Sequence, residues 1–276
     1  PLLLLAVGLE ARGWPLAAGA AASIAFLFHG PTTIPYWVCY FGLVLWPAER
    51  SVRRHRLLGL VPLLVAAAVL GFLSLLQPGR IHSLPRFERI EPWWEALMRQ
   101  RTPYIWVSLW FRRWYLHYGI LAAAAGAAFW RVRRAAPADL RVLLAGFPII
   151  GLLSLPFSYW LLEISKSTLA PQFQPLRAVL FITATAGLLC SIAGLRAAQN
   201  GRRLEGFLWL AVAFAIPTAR PIQDIFLPNL RDPAILRQVA LVLCLSLGAL
   251  LAVWGETARR GWRTPVWAGV IVMAFL

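Results

Sequence analysis

Apolar runs divide this chain, and short arginine-rich stretches separate them at near-even intervals: Arg50–Arg56, Arg131–Arg141, Arg196–Arg203 and Arg259–Arg263. A helix that crosses a bilayer takes about 20 residues, so each interval holds enough apolar sequence to cross and return. Cytoplasmic loops collect Lys and Arg, which places the four clusters on one side and fixes an orientation. Pro1–Leu9 then reads as the end of a span and Glu10–Gly13 as a turn. Complete spans follow at Trp14–Phe28, Pro35–Trp46, Leu57–Leu76, Tyr104–Trp130, Val142–Leu162, Ala178–Leu195, Phe207–Thr218 and Leu236–Trp254, and Val266–Leu276 begins another. The expected fold is all-α: a polytopic transmembrane helical bundle of about eight complete spans with truncated ends, forming one domain over residues 1–276. Both ends fall inside apolar runs, which reads as a piece of a longer membrane protein.

The tryptophans fit the same scheme. Trp14, Trp46, Trp130, Trp209, Trp254, Trp262 and Trp267 fall near cytoplasmic ends, and Trp37, Trp93, Trp94, Trp106, Trp110, Trp114 and Trp160 near external ends. Trp favours both interfaces, so these residues are expected to act mostly as anchors. Pro62, Pro148, Pro156 and Pro217 lie within apolar runs, where each removes a backbone donor and can kink its helix.

The first hairpin is short. Trp14–His29 would give about 24 Å of helix and Pro35–Trp46 about 18 Å, at 1.5 Å per residue, against a hydrocarbon core about 30 Å thick. The turn His29-Gly-Pro-Thr-Thr-Ile-Pro35 is therefore expected at the floor of an external cavity, unless local thinning absorbs the mismatch. His29 there could contact a phosphate, act as a base, or cap a helix.

Composition narrows the class. The chain is 60% hydrophobic and 14% charged, whereas soluble domains carry about 25% charged residues. Its net charge of +16 would suit nucleic acid, but the basic clusters separate hydrophobic spans and do not form one face; nucleic acid is excluded as a partner. Of the 27 basic residues only Lys166 is a lysine, a bias that fits GC-rich bacterial coding, and the expected location is the bacterial inner membrane, multi-pass. Cys39, Cys190 and Cys244 sit in apolar runs and read as buried small residues, with no metal-ligand spacing. No glycine-rich phosphate loop, nucleophile elbow or His/Glu metal motif is present, which removes the soluble enzyme classes and leaves metal ligands and cofactors without a candidate.

The external segments carry the remaining chemistry. Glu91–Arg101 has helical spacing, with Trp94, Leu97 and Met98 as an apolar stripe and Glu95 and Arg99 paired at i, i+4. It reads as an amphipathic helix in the interface plane or as a solvated surface helix. Gln174 and Arg177 stand at the threshold of the next span, where an unpartnered guanidinium is expensive. Its planar fork suits a phosphate or carboxylate, and its stem could equally snorkel to headgroups. A third segment, Ala219–Arg237, mixes both charges. Together these surfaces suit an anionic amphiphile, and bulk anionic lipid nearly as well.

The His29-Gly-Pro turn, the segment Trp94-Glu-Ala-Leu-Met-Arg-Gln-Arg101-Thr-Pro-Tyr-Ile-Trp-Val-Ser-Leu-Trp110 and Gln174-Pro-Leu-Arg177 resemble stretches of bacterial multispanning proteins that look like the GT-C glycosyltransferase superfamily. The resemblance covers roughly residues 14–185. It implies a membrane enzyme that uses a polyprenyl-phosphate-linked sugar on the extracytoplasmic side. It also implies His29, Arg101, Gln174 and Arg177 as contacts to that substrate. The superfamily's catalytic acid lies in its first external loop, yet His29–Pro35 contains no Asp or Glu. The resemblance therefore assigns no catalytic residue here, and an acid would have to lie upstream of Pro1. Two other functions remain open: a lipid or lipid-linked-saccharide transporter, and a non-catalytic scaffold. An internal repeat or ionisable groups deep within spans would favour transport; no convincing repeat is present, and only Arg112, Arg113 and His117 interrupt a span.

Overall fold

The computed structural model describes residues 1–46, 50–76, 88–168, 170–216, 235–257 and 266. Within them the chain is all-α, with one isolated antiparallel bridge between Arg89 and Ser167 and no strand. The helices are α1 (Leu2–Ala11), α2 (Pro15–Leu45), α3 (Arg50–Leu58), α4 (Val61–Leu76), α5 (Pro92–Arg101), α6 (Arg112–Val132), α7 (Ala138–Tyr159), α8 (Ala170–Phe173), α9 (Leu180–Gln199), α10 (Arg203–Ala215) and α11 (Ile235–Thr257). Two compact units form: Pro1–Gly119 with Ala135–Ile182, and Ile120–Arg134 with Thr183–Leu276. Of the segments named above, Ala219–Ala234, Arg259–Arg263 and Trp267–Leu276, with Pro217, lie outside the described residues.

The hairpin expected around His29 is present. Backbone angles at His29 (φ −160°, ψ 83°) break the helical path of α2. A straight helix would hold Pro15 and Tyr40 about 37 Å apart at 1.5 Å per residue. Yet a Cβ placed on Gly59 would lie 3.1 Å from the Pro15 carbonyl and collide with the Tyr40 hydroxyl. Both ends of α2 thus reach Gly59, so the helix doubles back at His29. The turn is built by a cap: the His29 imidazole Nδ1 accepts from the Thr32 amide at 3.3 Å and lies 2.9 Å from the Thr32 hydroxyl. A side-chain acceptor aimed at the third residue of the following helix is the usual N-cap arrangement. Pro31 then falls in a first turn, where its missing N–H would have no partner anyway.

Two arginine-bearing turns end their helices alike. After α1, the Gly13 and Trp14 amides return to the Glu10 and Leu9 carbonyls at 2.9 and 3.0 Å; after α9, Gly201 and Arg202 return to Ala198 and Ala197 at 3.0 and 2.8 Å. Gly13 (φ +73°) and Gly201 (φ +76°) occupy the left-handed position that this closing motif needs.

The core of the first unit joins α1, both halves of α2, α7 and the start of α9 through Val7, Ala22, Tyr36, Tyr40, Phe147 and Phe181. Small residues set the spacing. A Cβ on Gly146 would meet the Cys39 sulfur at 2.5 Å, and one on Gly151 would meet Ile182 at the same distance. Close approach through glycine is how apolar helices gain contact where burial from water gives no drive. In the second unit, Gly194 and Gly206 perform the same task between α9 and α10, with the Gly194 carbonyl 3.0 Å from where a Gly206 Cβ would stand.

Among the described residues, three helical stretches are long and apolar enough to cross a membrane: Ser51–Leu76, Ala138–Ile164 and Ala170–Gln199. That is fewer than the eight spans expected from the arginine spacing. Each half of α2 is too short, Arg112, Arg113 and His117 dilute α6, and part of the remaining sequence lies outside the described residues. The surface of α4 still calls for an apolar surrounding, because Leu64, Val65, Phe72, Leu75 and Leu76 are all exposed while only Ala66 is buried.

Three expectations are corrected. Trp37, Trp106 and Trp110 are core residues, not anchors, whereas Trp14, Trp46, Trp93, Trp130, Trp160 and Trp254 are more than half exposed. Cys39 and Cys190 are buried but Cys244 is exposed, because an apolar run does not show which helix face turns outward. Pro62 sits in the first turn of α4 and interrupts nothing, while Pro148 and Pro156 are interior to α7. Downstream of Pro156 the helix widens into a π turn, Trp160–Ile164, closed by the Ser165 amide on the Trp160 carbonyl at 2.9 Å.

Candidate functional site

The segments that carry Arg101, Gln174 and Arg177 form a cap on the first unit. Its small core holds Ile90, Ile105, Trp106, Leu162 and Ala170, with Trp94 and Met98 of α5 packed against it. The predicted stripe of α5 is therefore real, but Trp94 and Met98 cover protein; Leu97 and Trp93 stay exposed. The cap is clamped along the chain by the Ile90 amide on the Lys166 carbonyl at 2.7 Å and the Thr168 amide on the Glu88 carbonyl at 3.2 Å.

Side chains fasten it further. Glu95 accepts from Arg99 at 3.0 Å and from Lys166 at 2.8 Å. Lys166, and then Arg99, hold its carboxyl below the ordinary carboxylate range against the opposing effect of desolvation. The Arg99 guanidinium also lies 4.2 Å from the centre of the buried Trp106 ring. Glu163 accepts the Ser108 amide at 2.9 Å, and the Trp110 indole donates to the Tyr104 carbonyl at 2.9 Å. The stretch from Tyr104 to Trp110 is thus held at several points, in two 3₁₀ turns at Pro103–Ile105 and Val107–Leu109.

Arg177 sits on this fixed platform. It belongs to the 3₁₀ turn Pro175–Val179 that leads into α9. Its Nη2 donates to the Tyr104 hydroxyl at 3.2 Å, and its guanidinium lies 5.8 Å from the Tyr104 ring centre. Its Nε is buried with no acceptor, and the Oε1 of Gln174 is buried with no donor. Gln174 itself takes a left-handed conformation (φ 42°, ψ 58°), which non-glycine residues adopt rarely. Buried polar atoms without partners are uncommon in folded proteins. Here two occur three residues apart, one on the Gln174 amide and one on a guanidinium that has no carboxylate partner among the described residues. The guanidinium can hold an oxyanion: its Nε and Nη1 donate to nothing among the described residues, and only the Nε2 end of the neighbouring Gln174 amide could add a donor, since its unpartnered Oε1 is an acceptor.

The four residues expected to act together are only partly assembled. Gln174 and Arg177 share one turn, and Arg177 meets Tyr104, three positions after Arg101. Arg101 ends α5 and is exposed, with no ion pair among the described residues. His29 is partly buried in the turn of α2, committed to Thr32, and no hydrogen bond or ion pair among the described residues joins it to the other three. Sequence reading missed Tyr104 as the partner of Arg177 and Lys166 as the partner of Glu95. The lone lysine among so many arginines was the available signal for the second. No group of three or more His, Cys, Asp or Glu that could hold a metal ion occurs among the described residues.

No family model, curated protein or solved structure matches this chain.

Proposed function

We propose that the chain is a multi-pass protein of the bacterial inner membrane whose cap binds the phosphate of a polyprenyl-linked sugar on the outer side. The proposal takes up the resemblance to GT-C glycosyltransferases, with the donor phosphate held by Arg177 and oriented by Gln174 and Tyr104. The observation that carries it is the buried Arg177 Nε, which lacks an acceptor on a guanidinium that pairs with no carboxylate among the described residues. A phosphate oxygen accepts such a donor with a charge-assisted bond, about twice as strong as a neutral one. Fixed cations around a phosphate are also the contribution that transfer from a lipid phosphate requires. The exposed Arg101 adds positive potential to the same cap, and the acid that would activate an acceptor is not among these residues.

The test is binding of polyprenyl phosphate and of the parent polyprenol to the full chain in lipid nanodiscs. The phosphate should bind on the order of tenfold tighter than the alcohol, the equivalent of about 1.4 kcal/mol. Arg177→Ala should erase that difference while Arg177→Lys keeps part of it. Equal affinity for the two lipids in the unaltered protein would sink the reading.

A further inference from the structure

The second unit carries a groove that the cap does not involve. It lies where the first turns of α10 meet the last turns of α11, and encloses about 330 Å³ between Arg203, Leu204, Phe207, Leu250, Val253, Trp254 and Thr257. The two helices run antiparallel there: Arg203 lines the groove with Thr257, while farther along a Cβ on Gly248 would lie 3.6 Å from the Phe214 ring. Val253 and Phe207 belong to or pack against the core of this unit, so the floor is apolar and fixed.

The two ends of the groove differ chemically. Its body opens onto exposed leucines, with Leu204, Leu208, Leu247 and Leu250 each about half exposed or more. Its mouth carries Arg203 and the half-exposed Trp254, with Arg202 adjacent. The Thr257 hydroxyl is occupied by the Val253 and Trp254 carbonyls at 3.0 and 3.2 Å. The acid closest in sequence, Glu205, is doubly engaged, by Arg131 at 2.6 Å and Arg202 at 3.4 Å. Arg203 has no carboxylate partner among the described residues, and no carboxylate lines the groove.

We propose that this groove is a binding site for one acidic phospholipid, with an acyl chain along Phe207, Leu250 and Val253 and the headgroup phosphate on Arg203. Charge complementarity decides the occupant. A helix of another protein would bring apolar contact but gives no reason for an unneutralised guanidinium at the mouth. A phosphodiester supplies the acceptor oxygens, and Trp favours this same depth between hydrocarbon and headgroups. Basic residues at the membrane surface each add attraction to anionic lipid that fades with salt.

Native mass spectrometry of the full chain, loaded with phosphatidylglycerol or with phosphatidylcholine of identical acyl chains, tests this. The unaltered protein should retain one phosphatidylglycerol on the order of tenfold more readily than phosphatidylcholine. Arg203→Gln should abolish that preference, and Arg134→Gln, at an exposed position away from the groove lining, should leave it intact. Leu250→Trp, which fills the groove from an exposed position, should lose the retained lipid of either kind while thermal unfolding stays unchanged. A preference that survives Arg203→Gln, equal retention of the two lipids, or retention unaffected by Leu250→Trp would each overturn the proposal.

Discussion

Arg56 and Asp139 stand 83 positions apart and meet through two parallel hydrogen bonds, Nε to Oδ2 at 3.1 Å and Nη2 to Oδ1 at 2.7 Å. The third guanidinium nitrogen donates to the Leu43 carbonyl at 2.6 Å, and the Arg56 carbonyl accepts the Tyr40 hydroxyl at 2.9 Å. One residue of an arginine cluster thereby ties the end of α2 to α3 and α7, and its side chain is 7% exposed. Breaking a buried pair from one side is far more damaging than replacing both partners. Arg56→Met should destabilise the protein by about 3 kcal/mol, the lower end of the usual range because Asp139 is partly exposed. The double change Arg56→Met with Asp139→Leu should recover most of that. Chemical unfolding of the full chain in detergent measures both; a double variant no better than the single one contradicts the pairing.

The first half of α2 packs against the turn between α3 and α4 through two glycines, since a Cβ on Gly19 would overlap the Gly59 carbonyl. Backbone cannot yield as a flexible side chain can. Gly19→Ala should therefore destabilise by about 1–3 kcal/mol, the usual range for overpacking, despite alanine's better helix propensity. Gly8→Ala in α1, where nothing lies within 4 Å of the new methyl, should be neutral or slightly stabilising. Unfolding midpoints of the two variants compared side by side decide the matter.

His29 offers a choice between capping and ligand contact that substitution can separate. Asn supplies a short acceptor suited to an N-cap, whereas Ala supplies none. His29→Ala should lower stability by about 1 kcal/mol and His29→Asn by much less. Neither should alter the preference for polyprenyl phosphate over polyprenol if the cap role is complete in itself. Loss of that preference in both variants, at unchanged stability, would return His29 to the binding site.

The parts of this structure that were legible in the sequence are those with a local cause. The short apolar halves flanking His29-Gly-Pro announced the hairpin, and the i, i+4 spacing of Glu95 and Arg99 announced α5 and its pair. Arg56 was not legible in the same way. It stands among arginines whose placement topology already explains, and its partner lies in a distant helix. Trp37, Trp106 and Trp110 were misread for a related reason: their position near a span end is the same whether the ring faces lipid or protein. Arg177 was legible as an anomaly, a guanidinium at an apolar threshold, but its Tyr104 platform required the 3₁₀ turns of the cap to be known.

Glu95 should make the cap sensitive to acid. Its carboxyl is held below the ordinary value of 4.5, first by Lys166 and then by Arg99. A carboxylate with a lowered folded-state pKa contributes stability that is complete above the unfolded value. That contribution fades as pH falls through the folded value, because the proton displaces two cationic partners at once. The bridge between Glu88–Ile90 and Lys166–Thr168 depends on the position of Lys166, whose backbone is left-handed (φ 51°) and whose amine is anchored on Glu95. Hydrogen exchange at the Ile90 and Thr168 amides, corrected for the intrinsic pH dependence of exchange, should keep its protection down to the ordinary carboxylate value of 4.5 and lose it as the pH falls further. Glu95→Gln should show reduced protection already at neutral pH and no further loss on acidification. Acid-dependent loss that persists unchanged in Glu95→Gln would assign the sensitivity to another carboxylate, with Glu163 on the Ser108 amide the next group to substitute.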